Sequence, residues 1–345
     1  MRKIYLLIGA IAVLIAVLAS CYFVFIRSSR DVDTSLAPVR IGYNTESITN
    51  VSIIVAFEKG YFQKHGVLPH MVPLKSGREV MQALAAGQID LGIGGFANFM
   101  QAMAKGAPIR YIAASASSPS FVFVRPNENL RSFSDLYGKN VSVTSNGINE
   151  LIFQSVMSQE NINTKNMKFA DVERSYLTAA LIGKRAVDAV VVSEQDTEMM
   201  FKAGAIILPE WESRGYAEQA EPRNSIVVNT GFLNQQEATV GNFLEALIDA
   251  HRLISAMPTE AAEALAKHIK DGSSGAIVHS PEKIVEQWKN KETVNMIWQD
   301  PKITMKLAKK AKEMGAIDKE LTLQDVYDLR FSSKLEAAQK EIYGE

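Results

Sequence analysis

The sequence predicts an α/β protein of two similar lobes followed by a helical tail. Three observations carry this. Short apolar runs alternate with helically spaced segments from Val39 to Leu208, the βα rhythm of a mainly parallel sheet. From Asn234 to Lys340 strand signals give way to helical spacing. A length of 345 residues suggests more than one core.

The chain opens with Arg2 and Lys3, an apolar run from Ile4 to Ile26, and the polar stretch Arg27-Ser-Ser-Arg-Asp-Val-Asp-Thr-Ser. A short basic start before an apolar core describes an export signal. Within it, Leu18-Ala-Ser-Cys21 resembles a bacterial lipobox, in which Cys21 would be lipidated and become the mature N-terminus. Against this, Tyr22 is unusual after such a cysteine, and the 23-residue run is long enough to span a bilayer uncleaved. Both readings, a lipid at Cys21 or an uncleaved helix, place the rest outside the cytoplasm and tethered. Residues 1–27 are thus the signal or anchor and 28–38 a polar linker.

Beyond the linker, Val39–Tyr43, Leu68–Leu74, Ile89–Ile93 and Ile109–Ala114 read as strands, with helices over Asn50–Phe62, Gly77–Ala86 and Asn98–Lys105 between them. A second set follows. Ser120–Arg125, Val141–Thr144, Met167–Val172, Ala186–Val192 and Ala205–Leu208 are extended; Asn149–Glu160, Ser175–Gly183 and Asp196–Ala203 are helical. Ser225–Asn229 is extended again. The two sets echo each other: Ala85-Ala-Gly-Gln-Ile-Asp-Leu-Gly92 resembles Leu181-Ile-Gly-Lys-Arg-Ala-Val-Asp-Ala189, each a helix stopped at glycine before an aspartate and an apolar strand.

Composition narrows the chemistry. A net charge of −1 with no basic run gives no reason to expect nucleic acid. Cys21 is the only cysteine, so the part beyond it has no thiol nucleophile, disulfide or iron–sulfur cluster. His65, His70, His251, His268 and His279 lack zinc-ligand spacing. No cofactor, metal site or catalytic constellation is expected.

Several motifs then fall in order. Arg40-Ile-Gly-Tyr43, Ala56-Phe-Glu-Lys-Gly-Tyr-Phe-Gln-Lys-His-Gly66, Gly87-Gln-Ile-Asp-Leu-Gly92, Asp135-Leu-Tyr-Gly-Lys-Asn-Val141 and Gly183–Ala189 are each weak alone. Together they resemble the periplasmic solute-binding proteins of ABC importers, in the branch serving aliphatic sulfonates, taurine, nitrate and thiamine-pyrimidine precursors. The resemblance spans about Val39 to Asn229. It implies a two-lobed periplasmic-binding-protein fold (type II-like) with two hinge strands, near Ser118–Val124 and Asn224–Asn229. Lobe 1 would comprise 39–118 plus 226–345, and lobe 2 would comprise 119–225. Ligand would sit between them.

In such a cleft, loops after strands and helix N-termini make the contacts. Candidate ligand-binding residues are Asn44 and Ser47 after the first strand, and Ser76 and Gly77, where Ser76 also suits the helix N-cap. Gly95, Phe96 and Asn98 follow the third strand; Phe96 would stack on a ring or pack in the core. Ser115 leads to the hinge. In the second lobe the candidates are Ser145, Asn146, Arg174 and Glu194. Arg174 suits a sulfonate or carboxylate, whereas Glu194 suits an amine, heterocyclic N–H or hydroxyl.

The expectation is a monomeric, non-enzymatic receptor. It captures a small organic solute or oxyanion (sulfonate, nitrate-like or pyrimidine) and delivers it to an ABC permease and ATPase complex. The alternatives are a membrane-tethered ligand-sensing domain for a signalling partner, or a pyrimidine-synthase-like enzyme; the latter group carries a cysteine-rich motif absent here.

Overall fold

The computed structural model describes residues 36–45, 47–143, 147–218, 221–269, 280–290 and 294–344, without the side chains of Arg174, Gln195, Glu221, Pro222 and Val294. Cys21 and the apolar run around it lie outside the described residues. Among those described, no helix is long and apolar enough to cross a membrane.

The described strands form two sheets. The first contains β1 (Ala37–Asn44), β2 (Val67–Leu74), β3 (Leu91–Gly95) and β4 (Ile109–Ser118). The second contains β5 (Ser120–Val124), β6 (Asn140–Ser142), β7 (Lys168–Ala170), β8 (Ala189–Ser193) and β9 (Ile206–Ile207). β10 (Glu221–Asn229) and β11 (Val294–Asn295) return to the first sheet, giving the orders β11-β4-β10-β3-β1-β2 and β7-β6-β8-β5-β9.

Both sheets are mixed rather than purely parallel, and the chain path explains why. β1, β2 and β3 run parallel, as do β6, β7 and β8. The exceptions come where the chain changes sheets: β5 enters antiparallel to β8, and β10 re-enters antiparallel to β3 and β4. β4 and β5 are separated by Pro119 alone. Residues 221–225 pair within the first sheet, with Glu221 opposite Ser118 and Ser225 opposite Gly94 and Ala114, so the return to that sheet falls before Glu221, upstream of the expected Asn224–Asn229 crossing.

The helical tail packs largely on the first sheet and its helices. Helix Glu237–Ala256 packs on helix Val51–Glu58, which buries Val51, Ser52, Ile53, Ile54, Val55 and Ala56. Phe62 stacks on Phe243 with ring centroids 5.3 Å apart. A helix apolar on so many sides needs cover from both the sheet and the tail. The tail also supplies β11, which lies antiparallel on β4 and whose two residues are too few to show as a strand in sequence.

The echo between the lobes has a physical basis. Asp90 accepts from the Arg40 backbone N–H at 2.8 Å and from its guanidinium at 3.0 and 2.5 Å. Asp188 accepts from the Asn140 N–H at 2.8 Å and from Arg125 Nη2 at 3.0 Å. In each lobe a carboxylate thus pins the start of one parallel strand to its neighbour. The residue three places earlier adopts a left-handed conformation, and it is Gly87 (φ 69°) in one lobe but Arg185 (φ 51°), not Gly183, in the other. Gly92 serves a different need, because a Cβ there would lie 2.8 Å from Val80 of the covering helix.

His251 ties the tail together. It is fully buried, its Nδ1 lies 2.7 Å from the Tyr343 hydroxyl, and its Nε2 has no hydrogen-bond partner. Burial pushes the imidazole down from 6.5 to about 3. Between these values the unfolded chain binds a proton that the folded chain refuses. The His251 contribution is therefore complete above pH 6.5 and is lost progressively as pH falls toward 3. The expected slope is about 1.4 kcal/mol per pH unit below the unfolded pKa. Urea titrations of the wild type and His251→Leu at pH 7.5, 6.0 and 5.0 check it: the stability difference shifts in favour of the variant as pH falls.

Candidate functional site

A cleft of about 430 Å³ lies between the two sheets. The first lobe lines it with Ser47, Thr49, Ser76, Gly77, Arg78, Gly95, Ala97, Asn98, Arg223 and Asn224; the second with Gly147, Ile148, Asn149, Ser193 and Glu194. Most of these follow the carboxyl end of a strand, where ligand sites of open α/β sheets sit. Ser47 and Thr49 follow β1, Ser76 follows β2, Gly95 ends β3, and Ser193 and Glu194 end and follow β8.

Three helices begin at this cleft: Gly77–Ala85, Phe96–Ala104 and Ile148–Gln159. Their first backbone N–H groups and positive dipole ends favour an acceptor or an anionic group. Ser76 caps the first, its Oγ accepting from Glu79 N–H at 3.2 Å. Neither Gly77 nor Gly95 has a positive φ. They keep the wall low, since a Cβ on either would stand 3.5–3.7 Å from Asn98 Nδ2.

The floor is a buried polar network. Arg223, 7% exposed, rises from β10. Its Nε donates to Ser118 Oγ at 2.8 Å and to the Ser118 carbonyl at 3.1 Å. Nη1 donates to Asn149 Oδ1 at 2.6 Å; Nη2 donates to the Pro119 carbonyl at 2.6 Å and to Ser120 Oγ at 2.8 Å. Ser118 Oγ in turn donates to Glu194 Oε2 at 2.5 Å. Burial raises the Glu194 carboxyl above its ordinary value, against the opposing pull of Arg223 and the Ser118 hydroxyl. One guanidinium thereby holds the β4–β5 crossing and the first turn of a second-lobe helix, and through Ser118 it reaches the carboxylate after β8.

The first-lobe wall is braced similarly. Ser47 and Thr49 hydroxyls lie 2.6 Å apart, and Asn224 Nδ2 donates to Thr49 Oγ1. Ser115, fully buried, donates 2.7 Å to the Thr49 carbonyl from behind.

Of the residues expected from sequence, the cleft brings together Ser47, Ser76, Gly77, Gly95, Asn98 and Glu194. Phe96 is placed in the core instead: it is fully buried and stacked on Tyr111 at 5.4 Å, because the first turn of its helix turns that ring inward. Asn44 ends β1 but does not line the cleft; its carbonyl accepts from Asn50. Ser115 supports the wall from behind. Ser145 and Asn146 lie outside the described residues. Arg174 lies in the short helix Arg174–Tyr176, and its side chain is not described. Thr49, Arg78, Asn149, Arg223 and Asn224 were not singled out. Asn149 lies just beyond the candidates Ser145 and Asn146, at the start of the next helix, and Arg223 stands where the chain returns from the second lobe; a charge at a crossing is the signal for it.

Among the described residues no group of His, Cys, Asp and Glu could hold a metal ion.

Two lobes, a polar cleft at their strand ends and sheet-crossing strands define the periplasmic-binding-protein class of fold. The chain belongs to the NMT1/THI5-like family, whose profile matches residues 48–261. A Haemophilus influenzae protein provisionally named for thiamine biosynthesis is 25% identical over 256 residues, 72% of this chain and 79% of that one. The periplasmic aliphatic sulphonate binding protein SsuA of Escherichia coli superposes with a TM-score of 0.69 at 16% identity, over 84% of this chain and 92% of SsuA. The periplasmic nitrate-binding protein NrtA of Synechocystis PCC 6803 superposes at 0.62 with 12% identity, over 89% of each chain.

If Arg223 is what holds the crossing, Arg223→Met strands five acceptors in a buried site. Unfolding free energy is expected to fall by about 3 kcal/mol, and Arg223→Lys, lacking the planar fork, is expected to recover little of it. Urea unfolding followed by far-UV circular dichroism measures both.

Proposed function

We propose that this chain is an extracytoplasmic solute-binding receptor of an ABC importer. It takes a small organic solute or oxyanion (sulfonate, nitrate-like or pyrimidine) into the inter-lobe cleft and delivers it to a permease and ATPase complex. The observation that carries the reading is the cleft itself: about 430 Å³, polar, and walled jointly by both lobes of a periplasmic-binding-protein fold. That volume suits a small molecule.

The walls offer two kinds of contact. The starts of three nine- to twelve-residue helices and exposed Arg78 favour an acceptor or oxyanion, whereas Glu194 favours a donor. In this reading the receptor acts as a monomer, closes by hinge motion, and is held at the membrane by lipid at Cys21 or by an uncleaved N-terminal helix. The enzyme alternative gains little from the cleft, because the Ser118 hydroxyl that donates to Glu194 is buried and is also held by Arg223.

Thermal-shift measurements with ethanesulfonate, taurine, nitrate and a 4-aminopyrimidine test the proposal. A ligand of the native state at a hundredfold its Kd adds about 2.7 kcal/mol of stability. One of these classes is expected to raise the melting temperature of the wild type, and Asn98→Ala and Asn224→Ala are expected to weaken that shift. No shift with any of them sinks the substrate range.

A further inference from the structure

Helix Ile148–Gln159 is apolar on two sides, and only one of them faces its own lobe. Ile152, Phe153, Val156 and Met157 are buried in the core of the second lobe. Leu151, 1% exposed, is instead buried in the first-lobe cluster, with Leu307, Ala308 and Ala311 of helix Pro301–Glu313, which packs against it. Ile148, one turn before Leu151, touches both clusters and also lines the cleft beside Asn149. Beside this contact lies a groove of about 560 Å³, lined by Glu150, Gln154 and Ser158 on one side and Lys310, Glu313 and Met314 on the other.

We infer that Leu151 is an inter-lobe latch. It is a positioning residue that sets how far the cleft stands open and gives the helical tail a part in gating it. Separating the lobes along this side withdraws Leu151 from the first-lobe core into water, which opposes opening by the hydrophobic free energy of one leucine. A solute that enters between Asn149 and the first-lobe wall meets a helix already docked at its other face. The inference rests on the cleft being the solute site, yet its test needs no solute.

The full chain, with Cys21→Ser to leave no native thiol, is spin-labelled at Lys75→Cys in the first lobe and Tyr176→Cys in the second. Both positions are exposed. Pulsed EPR on the ligand-free protein reads the inter-lobe distances. Leu151→Ala is expected to raise the long-distance population about tenfold or more relative to wild type. Leu307→Ala, on the opposite face of the contact, should move it the same way, and Leu151→Met should leave it near wild type. Distance distributions unchanged in both alanine variants, with far-UV circular dichroism showing them folded, overturn the latch. If either alanine variant does not fold, the milder Leu151→Val decides on the same labels: a shift toward long distances supports the latch and no shift rejects it. Failure of every solute in the thermal-shift panel would leave these distances untouched, so the two ideas fail separately.

Discussion

The guanidinium of Arg223 is the contact on which the cleft depends. Its acceptors come from the end of β4, from Pro119, from the start of β5 and from the first turn of a second-lobe helix. A flexible ammonium could not satisfy these directions at once, because only a planar fork presents donors at fixed angles. The carbonyls and hydroxyls it serves sit where the chain leaves one sheet for the other, around Pro119 between the ends of two strands. Buried polar groups in such a place need a donor. The geometry of the floor, including the position of Glu194, follows from meeting that need.

This placement also separates two roles that a charge near a ligand site can have. Arg223 lines the cleft, but its guanidinium is wrapped by protein acceptors. Arg78, exposed at the start of helix Gly77–Ala85, carries the other positive charge on the cleft wall. Glu194 is buried with its carboxyl raised by desolvation. Preference for an acceptor therefore arises from the helix starts and Arg78, and preference for a donor from one carboxylate. The first-lobe wall carries Arg78 and two of the helix starts, and the second-lobe wall sets the third beside Glu194.

The fold was legible because its signals are local. Short apolar runs, glycine helix stops and an aspartate before a strand each report on a few neighbouring residues. The repeated aspartate proved more telling than the repeated glycine. Asp90 and Asp188 perform the same pairing task, whereas the left-handed residue before them is glycine in one lobe and arginine in the other. What sequence could not supply was direction. That β5 and β10 run against their neighbours depends on where the chain crosses between sheets, a non-local fact. β11, two residues long, takes its strand character from β4 alone.

The site divides along the same line. Ser47, Ser76, Gly77, Gly95 and Asn98 reach the cleft because a loop after a parallel strand must arrive at one rim. Phe96 failed for a reason of helical phase: one position in the first turn decides whether a ring faces the cleft or Tyr111. Arg223 and Asn149 went unrecognised because their value lies in each other, 74 positions apart in sequence. The same holds for Leu151 and Leu307, which look like ordinary core leucines until their lobes are known. Residues that join two lobes carry no local mark. They are found only once the sheets have been placed, and here they include the polar floor of the cleft and a buried apolar contact between helices of the two lobes.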